Sequence, residues 1–175
     1  MKKKNNTRRL TALALTVSFA LILSFIESRI PAFVAIPGVK VGLANIAVIF
    51  TLYKFGIAPA AAVAGVRVTL MSFLFGTPIT FLYSVAGSVL SFAAMIILKK
   101  LTPVSEVVVS VAGGIMHNIG QIIMASIVLG TNVVAYYLPF LLLSGTIAGI
   151  AVGVASALLI KKVDLTKMLR SSGRR

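Results

Sequence analysis

The sequence predicts an all-α protein, a polytopic membrane bundle of six transmembrane helices with both termini in the cytoplasm. Its 175 residues suit one domain, and 59% of them are hydrophobic while only 11% are charged. Soluble domains carry about 25% charged residues, so this chain has too few charges for a water-facing surface. Disordered chains are poor in aliphatic residues, so disorder is excluded as well. The basic residues fall at the ends and between apolar runs, which is typical of membrane proteins.

The apolar runs define the predicted elements in order. A transmembrane helix needs about 20 apolar residues, and turn-forming Gly and Pro residues separate the runs. The six predicted spans are Leu10–Ile26, Val41–Tyr53, Ile57–Phe75, Ile79–Leu98, Val104–Leu129 and Ala135–Ile160. The second is short, so we expect it to be broken or tilted. The first run could also be a signal peptide, but Phe33-Val34-Ala35 is a poor cleavage site and a span is favoured.

The distribution of positive charge supports this order. With six spans and a cytoplasmic N-terminus, 14 of the 17 Lys and Arg residues are cytoplasmic, which agrees with the positive-inside rule. We therefore predict one transmembrane domain over residues 1–175 of a multi-pass cell-membrane protein. Residues 1–9 form a basic cytoplasmic N-terminus, 10–160 the bundle and 161–175 a basic cytoplasmic tail. Because the charges form no single stripe or face, we predict no nucleic-acid partner.

Several chemistries are poorly supported by the sequence. The chain has no cysteine, one histidine and three acidic residues, so we predict no metal site and no cofactor. It lacks a phosphate-binding loop for ATP hydrolysis. It also lacks an Asp-rich motif that could hold Mg²⁺ and a diphosphate. We predict no catalytic residues, and the sequence favours a non-enzymatic role without deciding the point.

Polar residues inside the spans are the candidate functional residues. Arg67 lies near the middle of the third span, where a charge costs at least about 2.5 kcal/mol and needs a partner. It can anchor an acidic group of a ligand, or pair internally with carbonyl groups or with Glu27. His117, Asn118 and Gln121 share one arc of the fifth span, where they can contact a ligand or form interhelical hydrogen bonds.

Neighbouring segments complete the predicted ligand site. A polar stripe follows the fourth span at helical spacing, and its hydroxyls can line a cavity or bond to their own helix. Its members are Thr80, Tyr83, Ser84, Gly87, Ser88 and Ser91. We expect Tyr83 and Asn45 to contribute to the site, with Lys40 and the Pro37-Gly38 turn at its mouth. Glu27, Arg29 and Lys40 can equally be interfacial charges.

Small residues recur every four positions on two spans, which lets helices approach closely in lipid. The first span carries Ala12, Thr16 and Ala20, with Ala14 and Ser18 beside them. The last span carries Gly145, Gly149, Gly153 and Ala157. These stripes can pack within the bundle, or the first can dock a partner membrane subunit.

Five motifs occur in order between residues 37 and 139, within a resemblance that covers roughly residues 10–160. They are Pro37-Gly38-Val39-Lys40-Val41-Gly42-Leu43-Ala44-Asn45, Arg67 with Phe75-Gly76, Tyr83-Ser84-Val85-Ala86-Gly87, His117-Asn118-Ile119-Gly120-Gln121 and Tyr136-Tyr137-Leu138-Pro139. With them the chain closely resembles the Gx transporter family, also labelled heptaprenyl diphosphate synthase component I. That family is in turn similar to the substrate-binding S components of energy-coupling factor transporters.

The resemblance implies a small-molecule binding and uptake subunit with six helices. Separate partners, a membrane T component and two ABC ATPases, would supply the energy. Ala12, Thr16 and Ala20 would dock the T component, with Thr in place of the usual middle Ala. The alternative is a non-catalytic membrane accessory component of heptaprenyl diphosphate synthase or isoprenoid-quinone synthesis, and a third class is a structural scaffold. Membrane lipid and a small-molecule ligand are expected partners, and the ligand's identity stays open.

Overall fold

The computed structural model describes residues 2–29 and 42–163, and within them the fold is helical with no strand. The helices are α1 (Lys2–Arg29), α2 (Asn45–Lys54), α3 (Ile57–Phe75), α4 (Pro78–Leu101), α5 (Glu106–Leu129) and α6 (Leu138–Lys162). A short 3₁₀ helix, Val133–Tyr137, precedes α6. Lys40, the Pro37-Gly38 turn and the tail from residue 164 lie outside the described residues.

The predicted set of six helices is confirmed, but they are not six equal spans. Five described segments are long and apolar enough to cross a membrane: Thr7–Arg29, Ile57–Phe75, Pro78–Leu101, Glu106–Leu129 and Val133–Lys162. α2 has 10 residues, a length of about 15 Å, which is half of a hydrocarbon core of about 30 Å. The structure thus supports a multi-pass membrane protein, and the side on which the termini lie stays a prediction.

Local chemistry explains where the helices begin and end. Thr77 and Thr80 form a capping box at the start of α4, and Ser105 caps α5 through the Val108 N–H. α6 begins at Leu138 rather than at the predicted Ala135. Pro139 lies in its first turn, where the missing proline N–H costs no hydrogen bond. α1 begins at Lys2, well before the predicted Leu10, because Lys and Arg are good helix formers.

At one end of the bundle, basic side chains of α1 and α4 contact the end of α2. Arg9 Nη2 of α1 donates to the Phe55 carbonyl at 3.3 Å. Lys99 Nζ of α4 donates to the Leu52 carbonyl at 2.5 Å and lies 4.6 Å from the centre of the Tyr53 ring. The start of α1 and the ends of α2 and α4 therefore meet. We call this the basic end, and the end that holds the α3–α4 turn the opposite end.

α2 is the most buried helix of the bundle. All six residues from Ala47 to Leu52 are buried, and four of them belong to the main hydrophobic cluster. That cluster also includes Ala20 of α1, Val63 of α3 and Val109 of α5. The long helices instead expose large apolar side chains on their outer faces, such as Phe73, which is 81% exposed. α2 is thus a half-length helix enclosed by longer ones.

The glycine stripe of α6 packs against α5. A Cβ atom added to Gly149 would lie 2.6 Å from the Cα of Val111, and one added to Gly153 would lie 2.7 Å from the Cα of Val107. Real Cβ atoms do not approach backbone so closely, so these glycines set the α5–α6 distance. For this stripe, the structure favours packing within the bundle.

The stripe on α1 is also covered by the bundle. Ala12 and Thr16 are each 8% exposed and Ala20 is fully buried, while Ala14 and Ser18 beside them are exposed. The Thr16 hydroxyl donates to the Ala12 carbonyl at 2.8 Å. This burial favours packing within the bundle, and docking of a partner through the three residues stays a prediction.

Candidate ligand-binding site

Three cavities meet at Arg67 and His117, which line all of them. The large cavity has about 230 Å³ and lies among α1, α3, α4 and α5. The inner cavity has about 50 Å³ and reaches α2 and α6. The small cavity has about 10 Å³ and lies among α2, α3, α4 and α5. Two of the residues singled out from the sequence thus stand at the junction of all three spaces.

The large cavity extends from mid-bundle to the opposite end. Arg67 and His117 lie at its deep side, and Gly76 and Thr77 of the α3–α4 turn lie at the other. Phe75 follows Arg67 by eight positions on α3, which corresponds to a depth of about 12 Å. The remaining lining residues are Ser24, Glu27, Ser28, Val68, Met71, Ser72, Phe75, Thr80, Ser84 and Ser88. Hydroxyl groups and three ionisable side chains make this lining unusually polar for a membrane bundle.

Several buried polar atoms have no hydrogen-bond partner within the described residues, and most of them belong to residues that line the cavities. They are Ser24 Oγ, Arg67 Nε, Ser88 Oγ, Ser91 Oγ and Gln121 Oε1, and all are buried. Other buried hydroxyls in the bundle bond to their own helix, for example Thr51 to the Ala47 carbonyl and Ser156 to the Val152 carbonyl, each at 2.7 Å. Because buried polar groups are normally satisfied, the cavity walls suit a polar occupant.

Glu27 joins two segments that are distant in sequence. Its side-chain oxygen accepts a hydrogen bond from the Gly42 N–H, and it interacts electrostatically with Arg67. Gly42 has a φ of +77°, a left-handed conformation that glycine adopts most easily. Glu27 therefore reaches inward, which an internal pairing of Arg67 with Glu27 requires. It lines both the large and the inner cavity.

His117 packs closely against α4 because Gly87 has no side chain. A Cβ atom there would lie 2.8 Å from the His117 carbonyl oxygen and 2.9 Å from the imidazole Nδ1. The same close approach recurs one helical turn on, where a Cβ atom on Gly120 would lie 2.7 Å from the Ala86 carbonyl oxygen. The α4–α5 contact thus fixes the imidazole at the cavity junction.

Asn118 and Gln121 do not share the surroundings of His117. Asn118 Nδ2 donates to the Leu141 carbonyl of α6, and Asn118 also lines the inner cavity. Gln121 lines none of the three cavities. The arc predicted for α5 is therefore divided, with His117 toward α4 and Asn118 toward α6.

The other predicted site residues have varied positions. Asn45 lines the inner and small cavities, Tyr83 lines none of the three, and Lys40 lies outside the described residues. Thr80, Ser84 and Ser88 of the predicted α4 stripe do line the large cavity. Sequence reasoning did not select Ser24, Ser28 or Ser72. The spacing of Ser24, Glu27 and Ser28, at i, i+3 and i+4 on one apolar helix, was an available signal for the α1 side.

Within the described residues, no group of three His, Asp or Glu side chains could hold a metal ion. The cavity lining instead offers one guanidinium, one carboxylate, one imidazole and several hydroxyls. Such a set can donate and accept hydrogen bonds with a small polar molecule.

A family model described as heptaprenyl diphosphate synthase component I matches residues 16–159. The chain belongs to the heptaprenyl diphosphate synthase component I family. The resemblance drawn from the sequence motifs is thereby confirmed, and the matched range includes every cavity residue named above. The word "component" in the family's description indicates a part of a larger assembly. No curated protein and no solved structure gives a significant match to the chain.

Proposed function

We propose that this member of the component I family is a small-molecule binding and uptake subunit of a membrane transporter, similar to an energy-coupling factor S component. The observation that carries the proposal is the large cavity, in whose walls Arg67 Nε, Ser24 Oγ and Ser88 Oγ have no hydrogen-bond partner among the described residues. Its volume of about 230 Å³ is a little below the usual range for drug-sized ligands, about 300–1,000 Å³. A compact metabolite is the occupant that such a space suits.

The half-length helix α2 supports the same proposal. Transporter sites commonly lie near the bilayer midplane, where interrupted helices end. α2 ends at the basic end through Lys54, and its first residue, Asn45, lines the inner cavity beside Arg67. Arg67, His117, Asn45 and Asn118 would bind the ligand in this proposal. Gln121, Tyr83 and Lys40 remain proposed contributors on the sequence pattern alone.

The proposal requires partner subunits for energy, because the sequence has no ATP-binding loop. An energy-coupling module with a T component and ABC ATPases would fill this role. Ala12, Thr16 and Ala20 are covered in the described bundle, so docking through them requires α1 to shift. The exposed neighbours Ala14 and Ser18 are small positions that a partner helix could reach without that shift.

The alternative function is a non-catalytic accessory component of heptaprenyl diphosphate synthase. The family description favours it. In that case a soluble prenyltransferase partner would co-purify with the chain, and substitutions in the cavity would leave its activity unchanged.

Native mass spectrometry of the gently extracted protein separates these functions. We expect the wild type and the control variant Lys161→Ala, which loses a charge at the exposed basic end, to retain a small metabolite. Arg67→Ala and the milder Ser88→Ala should retain less of it while eluting as folded protein. If the protein retains no metabolite and co-purifies with a prenyltransferase, the uptake proposal is contradicted and the alternative is supported.

A further inference from the structure

The cavity walls hold two opposite charges whose pairing is incomplete. Glu27 attracts Arg67, and both line the large and the inner cavity. The carboxylate of Glu27 nevertheless bonds the Gly42 N–H, and Arg67 Nε has no partner among the described residues. The guanidinium therefore keeps donor capacity for a further oxygen acceptor.

A ligand oxyanion would compete directly with Glu27. A guanidinium binds a carboxylate or a phosphate through two parallel N–H donors. Two anions at one guanidinium repel each other, so the arrival of a ligand oxyanion disfavours the inward position of Glu27. Glu27 lies only two residues before the end of α1 and is half-buried. Its side chain can therefore turn toward water at the opposite end without unwinding the helix.

We propose that the ligand carries a carboxylate or phosphate group, and that Glu27 is an internal carboxylate which holds the Arg67 site until this group displaces it. The inference rests on the proposed binding function and adds the chemical class of the ligand. It also assigns Glu27 the role of a competitor and not of a ligand contact. A cationic ligand would need Glu27 instead, so the two classes predict opposite effects of neutralising it.

Titration of the purified full-length protein with inorganic phosphate tests this assignment. Binding is followed by the melting temperature in neutral detergent, with chloride at the same ionic strength as the baseline. Glu27→Gln should lower the apparent dissociation constant for phosphate roughly 10- to 100-fold, the effect of one charge-assisted hydrogen bond. Glu106→Gln is the matched control, because it removes the same charge at the start of α5 and away from the three cavities.

Arg67→Gln, alone and combined with Glu27→Gln, should abolish the phosphate-dependent shift. Glu27→Ser provides a second neutral variant if Glu27→Gln folds poorly. Phosphatidylglycerol added to the micelles distinguishes two sources of the oxyanion. Competition with phosphate would identify a lipid headgroup, and no competition would identify a free solute; either result supports an oxyanion site.

Unchanged or weaker phosphate binding in Glu27→Gln would overturn the inference, as would the absence of phosphate binding in every variant. The proposed function can be judged separately. If the wild type retains a metabolite that Arg67→Ala loses, while Glu27→Gln also loses it, then the binding function stands and the competitor role of Glu27 is wrong.

Discussion

Single glycines determine how closely the helices of this bundle approach. Gly149 of α6 lies against the backbone of Val111, so that an added Cβ atom would come within 2.6 Å of its Cα. Gly65 of α3 has nothing within 4 Å of the same added atom. In lipid, helices associate through close packing and not through the hydrophobic effect. A methyl group at Gly149 would therefore clash with α5, whereas one at Gly65 would contact no neighbouring helix.

Gly149→Ala is expected to destabilise the protein by about 1–3 kcal/mol, the usual cost of overpacking, because backbone on α5 cannot move aside easily. Gly65→Ala is the matched control and should be neutral or slightly stabilising, since Ala favours helix over Gly. Thermal unfolding in detergent measures both. Equal melting temperatures for the two variants would contradict the close α5–α6 contact.

The site shows what residue-level patterns can and cannot predict. Arg67 and His117 could be selected as candidate site residues from the sequence, because ionisable groups deep in apolar spans are rare and commonly mark functional sites. The inward position of Glu27 was open, since a carboxylate near a helix end can face either water or protein. The Gly42 N–H that holds it lies 15 residues away, and no local pattern specifies that contact. Which helices Asn118 and Gln121 face likewise depends on how the neighbouring helices pack, and the sequence does not specify that packing.

At the level of elements, α2 is the most informative helix. The sequence predicted a short second span, broken or tilted, because its apolar run is shorter than the roughly 20 residues that a spanning helix needs. It could not predict that this helix is enclosed by the others, with Ala47 to Leu52 all buried. Its continuous apolar run suits burial on all sides, but the same run also suits a lipid-exposed segment. Tertiary packing decides between them.

The turns between helices allow a direct test of membrane orientation. The chain has no cysteine, so single cysteines can be introduced without background. Thr131 follows α5 at the opposite end and Thr102 follows α4 at the basic end, and both are exposed. The positive-inside rule predicts that an impermeant maleimide labels Thr131→Cys in intact cells. Thr102→Cys should be labelled only after permeabilisation, and the reverse pattern would refute the predicted orientation.

The whole molecule reverses the usual arrangement of a soluble protein. Its outer faces are apolar and its polar side chains converge on the central cavities. Hydropathy predicted the six helices and their order, but it counted α2 as a span, whereas five described segments are long enough to cross a membrane. Hydropathy does not encode which helices are neighbours. The convergence of α1, α3, α4 and α5 on one cavity therefore emerges only from the fold.

The proposed function requires that water enters the large cavity from the opposite end and reaches Arg67 and His117. The most direct measurement compares the reaction of Ser88→Cys and Val89→Cys with a small, charged methanethiosulfonate reagent applied to intact cells. Ser88 lines the large cavity, whereas Val89 is 61% exposed on the outer face. Thiols react as thiolates, which form in water and not in an apolar environment.

We predict that Ser88→Cys reacts at least about tenfold faster than Val89→Cys, since only its thiol can ionise in contact with water. Thr131→Cys serves as the positive control for access of the reagent. If Ser88→Cys stays unreactive while Thr131→Cys is labelled, or if it reacts only after permeabilisation, then the cavity does not lead from the opposite end to the proposed site.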